Sequence, residues 1–205
     1  MGAYDNLNEM QLDVMREVGN IGAGNACTAL SVLLGTVVDM SVPSVKLLGF
    51  DDTSEYLGGN DRPIIGIKVD VTDDLTGMMF HMVNKDFAER IINTFYAKQL
   101  EDLSNVDEMD SSVLSEMANI TSGAYANSLA TLTSLVVNIG PPQQHLSTVG
   151  EVLKIPHAAY SQPGDKILII DEKFIIGDEQ ITSHMLLILE SESLMKLFDR
   201  LGVQA

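Results

Sequence analysis

The sequence predicts an α/β fold of the α+β type. It is internally duplicated about a pseudo-two-fold axis, with long helices packed on a largely antiparallel sheet. Three observations lead there. Two long segments, about Asn8 to Leu34 and Val106 to Thr133, repeat apolar residues at helical spacing. Paired apolar runs of strand length, joined by short polar turns, follow each of them. Shifting the chain by 99 residues then lays the first half on the second in one register. Glu17 meets Glu116, Asn20 meets Asn119, Ile21 meets Ile120 and Gly24 meets Gly123. Leu30 meets Leu129, Leu33 meets Leu132, Val37-Val38 meets Val136-Val137 and Pro43 meets Pro142.

The elements follow in order. The first helix pattern stops at Gly35, a residue suited to a helix C-terminus. TVVDMSVPSVKLLGF is strand-like and interrupted by Pro43, and a polar segment, DDTSEYLGGNDRP, comes next. IIGIKVDV and LTGMMFHMV alternate as strands around a turn at Asp73 and Asp74. KDFAERIINTFY is an amphipathic helix. After the second long helix, SLVVNIGPP is a strand ending in prolines. KILIIDEKFII and ITSHMLLILE are strands around GDEQ, and ESLMKLFDRLG is a closing amphipathic helix ending at Gly202. The expected organisation is a single domain of 205 residues made of two repeats, approximately 8–98 and 106–202.

Composition narrows the function. With 45% hydrophobic residues the chain can bury a core. The 29 acidic residues against 12 basic ones, a net charge of −17, exclude nucleic acid and anionic membrane surfaces as expected partners. A protein partner with a basic patch fits that charge. Cys27 is the single cysteine, so neither a disulfide framework nor a thiolate metal site is expected. MGAYDN has no basic region followed by an apolar core, Asn6 stands where myristoylation wants Ser or Thr, and no apolar run reaches spanning length. The expected location is the cytoplasm, without membrane insertion.

EVGNIGAGNA, Glu17 to Ala26, has the glycine content of a phosphate-cradling loop. Its position argues otherwise. Such loops follow a strand and open a helix, whereas these glycines follow at least two turns of helix pattern and miss the GxGxxG spacing. At about 100° per residue, Asp13, Glu17, Asn20 and Gly24 fall in one narrow polar stripe, with Val14, Met15, Val18 and Ile21 on other sides of the helix. Ser112, Glu116, Asn119 and Gly123 form the same stripe in the second half. Gly19 and Gly22 point to the buried side, where close packing is expected; Gly24 and Gly123 leave room beside the Asn. A mid-helix Gly costs about 0.8–1 kcal/mol against Ala, and a mid-helix Asn up to about 0.7 kcal/mol. An unfavourable combination repeated in register points to a role beyond folding.

These residues carry a resemblance. The pattern is Asp or Ser, three residues, Glu, two residues, Asn, then twenty-two residues and Pro. It reads Asp13, Glu17, Asn20, Pro43 and again Ser112, Glu116, Asn119, Pro142. It resembles the CheC/CheX/FliY family of bacterial chemotaxis phosphatases over nearly the whole chain. Two intact motifs and a chain ending at Ala205, with no added switch domain, fit the two-motif branch of that family.

The resemblance implies dephosphorylation of the phosphorylated response regulator CheY. It places no cofactor of its own in the chain and expects Mg²⁺ on the CheY partner. By carry-over, Asn20 and Asn119 orient the attacking water, and Glu17 and Glu116 pair with the CheY lysine beside the phosphate. Asp13 and Ser112 support them, and Pro43 and Pro142 shape a strand end near the site. The residue types suit that chemistry. A carboxamide both donates and accepts hydrogen bonds, so it can hold a water in line without adding charge. The other candidates fall away. His81, His145, His157 and His184 show no HxH or HExxH spacing, and no GxSxG occurs. Asp70, Asp73 and Asp74 read as turn residues. A second function class stays open: a binding adaptor that regulates the deamidase CheD, a further partner in the family, or one that sits at the flagellar switch. The two intact Glu-x-x-Asn motifs favour catalysis.

Overall fold

The computed structural model describes Tyr4, residues 7–160 and residues 166–203, without the side chains of Val42 and Tyr160. Residues 1–3, 5 and 6, part of the stretch read above for a leader, and Ala205 lie outside the described residues. The first long helix, α1, spans Glu9–Leu34. Asn8 accepts from the Gln11 backbone N–H while the Gln11 side chain accepts from that of Asn8, so two orphan donors are satisfied reciprocally. Gly35 closes the helix in the left-handed conformation, φ 63°.

The strand β1 (Val38–Gly49) follows, then a short helix, α2 (Phe50–Tyr56), in the segment expected to be merely polar. β2 (Pro63–Asp73) and β3 (Gly77–Val83) form the expected hairpin, and Asp73 takes a positive φ, 77°, at its turn. α3 (Lys85–Tyr96) leads to the second long helix, α4 (Glu108–Thr133), whose Asp107 caps the first turn. The second half then departs from expectation. A three-residue strand, β4 (Val137–Ile139), is followed past the prolines by a separate strand, β5 (Gln143–Thr148), and a helix, α5 (Val149–Tyr160). β6 (Lys166–Ile176) and β7 (Glu179–Leu189) close through Gly177-Asp178 alone, so Glu179 and Gln180 of the expected turn belong to β7. α6 (Ser191–Arg200) is the last helix among the described residues, with Gly202 at φ 73° beyond it.

Among the described residues, seven strands form one sheet in the order β1-β6-β7-β3-β2-β4, with β5 also on β2, and every pairing is antiparallel. β1 of the first half therefore pairs with β6 of the second, and β4 and β5 of the second pair with β2 of the first. Helices cover both faces. Ile167 and Ile169 of β6 pack with Leu57 beside α2 and with Val149 and Val152 of α5. The alternate residues, Leu168 and Ile170, pack with α1, α4 and α6. Double coverage explains why β3, expected to alternate, is instead buried at every position. Among the described residues, no helix is long and apolar enough to cross a membrane.

α1 and α4 run antiparallel. Met15 and Val18 share a core with Tyr125 and Leu129, whereas Leu30 and Leu34 share one with Val113, Leu114 and Met117. Their approach depends on one glycine. A Cβ on Gly22 would lie 2.6 Å from the Tyr125 ring, which is fully buried. A Cβ on Gly19 would meet Pro43 at 3.6 Å, an ordinary contact. Both glycines are buried, as their helical angles predict, but only Gly22 is sterically required. Gly22→Ala is expected to destabilise by about 1–3 kcal/mol through overpacking. Gly19→Ala should stabilise, by up to about 1 kcal/mol from helix propensity. Urea unfolding of both variants checks the opposite signs, and destabilisation by Gly19→Ala as large as that by Gly22→Ala would refute the distinction.

Candidate functional site

The exposed sides of α1 and α4 carry the two polar stripes. Asp13 and Glu17 are exposed, Asn20 is half-buried, and Gly24 is exposed with nothing within 4 Å of where a Cβ would stand. On α4, Ser112 and Glu116 are exposed and Asn119 is half-buried. A Cβ on Gly123 would meet only Ile139, at 3.8 Å. The outward direction follows from the buried residues opposite: Met15, Val18, Gly22 and Leu30 on α1, and Val113, Leu114, Met117 and Leu129 on α4.

Hydrogen bonding within the stripes is sparse. Asp13 pairs with Arg16, one turn on. Ser112 donates its hydroxyl to the Glu108 carbonyl at 2.8 Å, a local bond within the helix. Among the described residues, the side chains of Glu17, Asn20, Glu116 and Asn119 make no hydrogen bond to the protein. Two carboxylates and two carboxamides thus stand one helical turn apart, in matched pairs, with their hydrogen-bonding capacity uncommitted.

The two halves surround these pairs differently. In the second, Ser112, Glu116, Asn119 and Pro142 border one groove of about 650 Å³ between α4 and the segment after β4. Ser111, Ser115, Pro141 and Gln144 complete its lining. In the first, a groove of about 620 Å³ runs between α1 and β1 and takes in Asn20 and Gly24, with Cys27, Ser31 and Asp39 among its walls. Asp13 and Glu17 lie outside it. Pro43 is buried beneath Gly19, inside β1 and not at a strand end, where the register shifts between Ser41 and Ser44. A proline has no N–H for the ladder, so the strand bulges where it occurs. Pro142 lies between β4 and β5 and breaks in two what β1 keeps as one strand. Sequence reasoning did not find Ser111, Ser115 and Gln144. Their only signal is proximity in number to Ser112, Glu116 and Pro142.

Cys27, Asp171 and His81, outside the stripes, are buried in the fold. Burial, with Asp39 and Glu172 nearby, pushes the Cys27 thiol up to about 11, so it stays protonated and is a poor nucleophile. Burial would raise the Asp171 carboxyl, but hydrogen bonds from His184 (2.8 Å), Lys46, Tyr56 (2.6 Å) and Ser44 (2.8 Å) outweigh it and hold the group well below the usual carboxylate range. His81 is fully buried, with Nε2 2.8 Å from the Ser122 hydroxyl. Among the described residues, no three His, Cys, Asp or Glu side chains are placed to hold a metal.

Comparison with known proteins gives the family. A sequence model of the CheC-like family matches residues 10–47 and 109–146, the two segments that carry the stripes. The chain is 36% identical over 207 residues to the CheY-P phosphatase CheC of Bacillus subtilis, covering 98% of this chain and 99% of that one. It is 30% identical over 148 residues to the flagellar motor switch phosphatase FliY of the same organism, covering 72% of this chain and 38% of FliY. The crystal structure of Thermotoga maritima FliY superposes with a TM-score of 0.78 at 21% identity, over 96% of this chain and 98% of that one, which is likeness of fold. Identity to CheC at this level along the full length decides the assignment: the chain belongs to the CheC-like family.

Proposed function

We propose that the protein hydrolyses the aspartyl phosphate of phosphorylated CheY. The observation that carries this reading is the exposed carboxylate and half-buried carboxamide, one helical turn apart, present on both α1 and α4 without a hydrogen-bond partner among the described residues. Kinship to a CheY-P phosphatase over the full length supports it. An acyl phosphate is already activated, and the regulator brings its own Mg²⁺. What remains is to place a water in line with the phosphorus–oxygen bond. Asn20 or Asn119 holds that water. Its attack forms a new phosphorus–oxygen bond, releases inorganic phosphate and returns the regulator's aspartate as a carboxylate. Glu17 or Glu116 pairs with the lysine beside the phosphate, which aims its charge away from the phosphoryl oxygens. Asp13, Ser112, Pro43 and Pro142 support the two helices and their flanking strands.

The same proposal treats the chain as one domain of two repeats, approximately 8–98 and 106–202, acting in the cytoplasm where its substrate is. It includes CheD as a second partner, on the family resemblance. The test is direct: purified protein is added to CheY phosphorylated in the presence of Mg²⁺, and phosphate release is followed. Release should be catalytic in the added protein. If phosphorylated CheY decays at its own rate whatever the amount added, the catalytic reading is wrong and the adaptor reading takes its place.

A further inference from the structure

The wall of the second groove is held by a contact that the first half lacks. The Gln144 side-chain Nε2 donates to the Ser115 hydroxyl at 2.7 Å and to the Ser111 carbonyl. Both hydrogens of the amide are used, so its orientation is fixed. Ser111 and Ser115 are one turn apart on α4, immediately before Ser112 and Glu116. Gln144 lies two residues after Pro142, at the start of β5. One side chain therefore ties the strand after the prolines to the helix that carries Glu116 and Asn119.

The tie matters because the prolines themselves cannot hold their segment. The Gly140 N–H reaches the Asp70 carbonyl at 2.9 Å, and the ladder with β2 resumes at Gln143, opposite Lys68. Pro141 and Pro142, between them, have no N–H to give. Their distance from α4 is set by what flanks them. At the same register, the first half has Val45 for Gln144, Leu12 for Ser111 and Arg16 for Ser115. Val45 packs against the core, and Pro43 is buried beside Gly19.

We propose that Gln144 is a positioning residue of the second site: by tying β5 to α4 it fixes the proline wall of the groove beside Glu116 and Asn119, and so sets how tightly the phosphorylated regulator docks there. This rests on the phosphatase reading above. The test uses the full chain carrying Asn20→Ala, in which the second site acts alone, with and without Gln144→Met. Methionine keeps the length and loses the donor. KM for phosphorylated CheY should rise about fivefold, the worth of a typical hydrogen bond, with kcat within about twofold. A folding defect would lower the active fraction, and thus kcat, without moving KM. Ser115→Ala in the same background should raise KM in the same direction. An unchanged KM in an active protein overturns this inference alone. An Asn20→Ala protein without turnover beside an active wild type overturns it too, since the second site would then be idle. A wild type without turnover overturns the phosphatase reading and this inference together.

Discussion

Asn20→Ala together with Asn119→Ala is expected to abolish dephosphorylation of CheY, by about 100-fold or more, while leaving the protein slightly more stable. The loss follows from the role: removing a group preorganised around the reacting water costs on the order of 10²–10³ in rate. The gain follows from the helix. Neither Asn side chain bonds to the described protein, and alanine is better than asparagine in a helix interior by up to about 0.7 kcal/mol. A structural residue shows the opposite pairing, with stability lost and activity falling along with it. The measurement is phosphate release beside a urea unfolding curve for wild type, each single variant and the double variant. Turnover at the wild-type rate in the double variant would sink the mechanism. Gly24→Ala extends the test. It has open space around it and should raise stability by about 0.8–1 kcal/mol. If the regulator must approach Asn20 closely, the same methyl lowers turnover in the Asn119→Ala protein, where the first site acts alone. Unchanged turnover there would show that the space beside Asn20 is not used.

The second large effect concerns pH and two groups beneath the helices. Glu172 on β6 is fully buried opposite Ser183. Burial pushes its carboxyl up to about 7, against a smaller opposing pull from the Tyr125 hydroxyl, although the two make no hydrogen bond of ordinary geometry. An acid raised in the folded state keeps its proton longer there than in the unfolded chain. Its contribution therefore falls as pH rises from about 4.5 to about 7, by on the order of 3 kcal/mol. His81 does the reverse. Burial lowers it to about 4, so the unfolded chain takes up the proton first, and stability is lost as pH falls from about 6.5 to about 4, by a similar amount. In the wild type the two slopes oppose one another and stability should be nearly flat between about pH 5 and 6.5. Glu172→Gln removes one of them. The variant should be more stable than wild type at pH 8, and should weaken steeply on acidification where the wild type does not. Parallel stability–pH curves for the two proteins, from urea unfolding, would refute this. Asp171 adds a loss of its own only at lower pH, since its carboxyl ionises well below the usual range.

The parts of the fold that show in the sequence are those whose pattern is local. α1 and α4 each bury one side and expose the other, so their period reads directly. Asn8 with Gln11, and Gly35, mark the ends of α1 through contacts within four residues. What the sequence hid lies at the sheet edges and beside them. β5 reads QQHLST and pairs on one side only, so it needs no apolar alternation. α5 contains Pro156, which breaks the expected helical pattern. α2 is one short helix whose sequence, FDDTSEY, is mostly polar. The candidate site shows in the sequence for a different reason. Asn20 with Gly24, and Asn119 with Gly123, spend helix stability beside an exposed Glu, and they do so twice in one register.

The sequence by itself determined the two long helices, the outward face of each, and the four polar residues that face carries, because helical geometry fixes which residues share a side. Only the tertiary structure decided that β1 lies on β6 and β5 on β2, since strand pairing joins residues more than a hundred positions apart or on either side of a long helix. It also made the two candidate sites unequal. Pro43 is buried beside Gly19 within a continuous strand, while Pro142 stands in a gap that Gln144 braces from α4. That difference arises from register and packing across the sheet, where the nearest neighbours in space are distant in the chain.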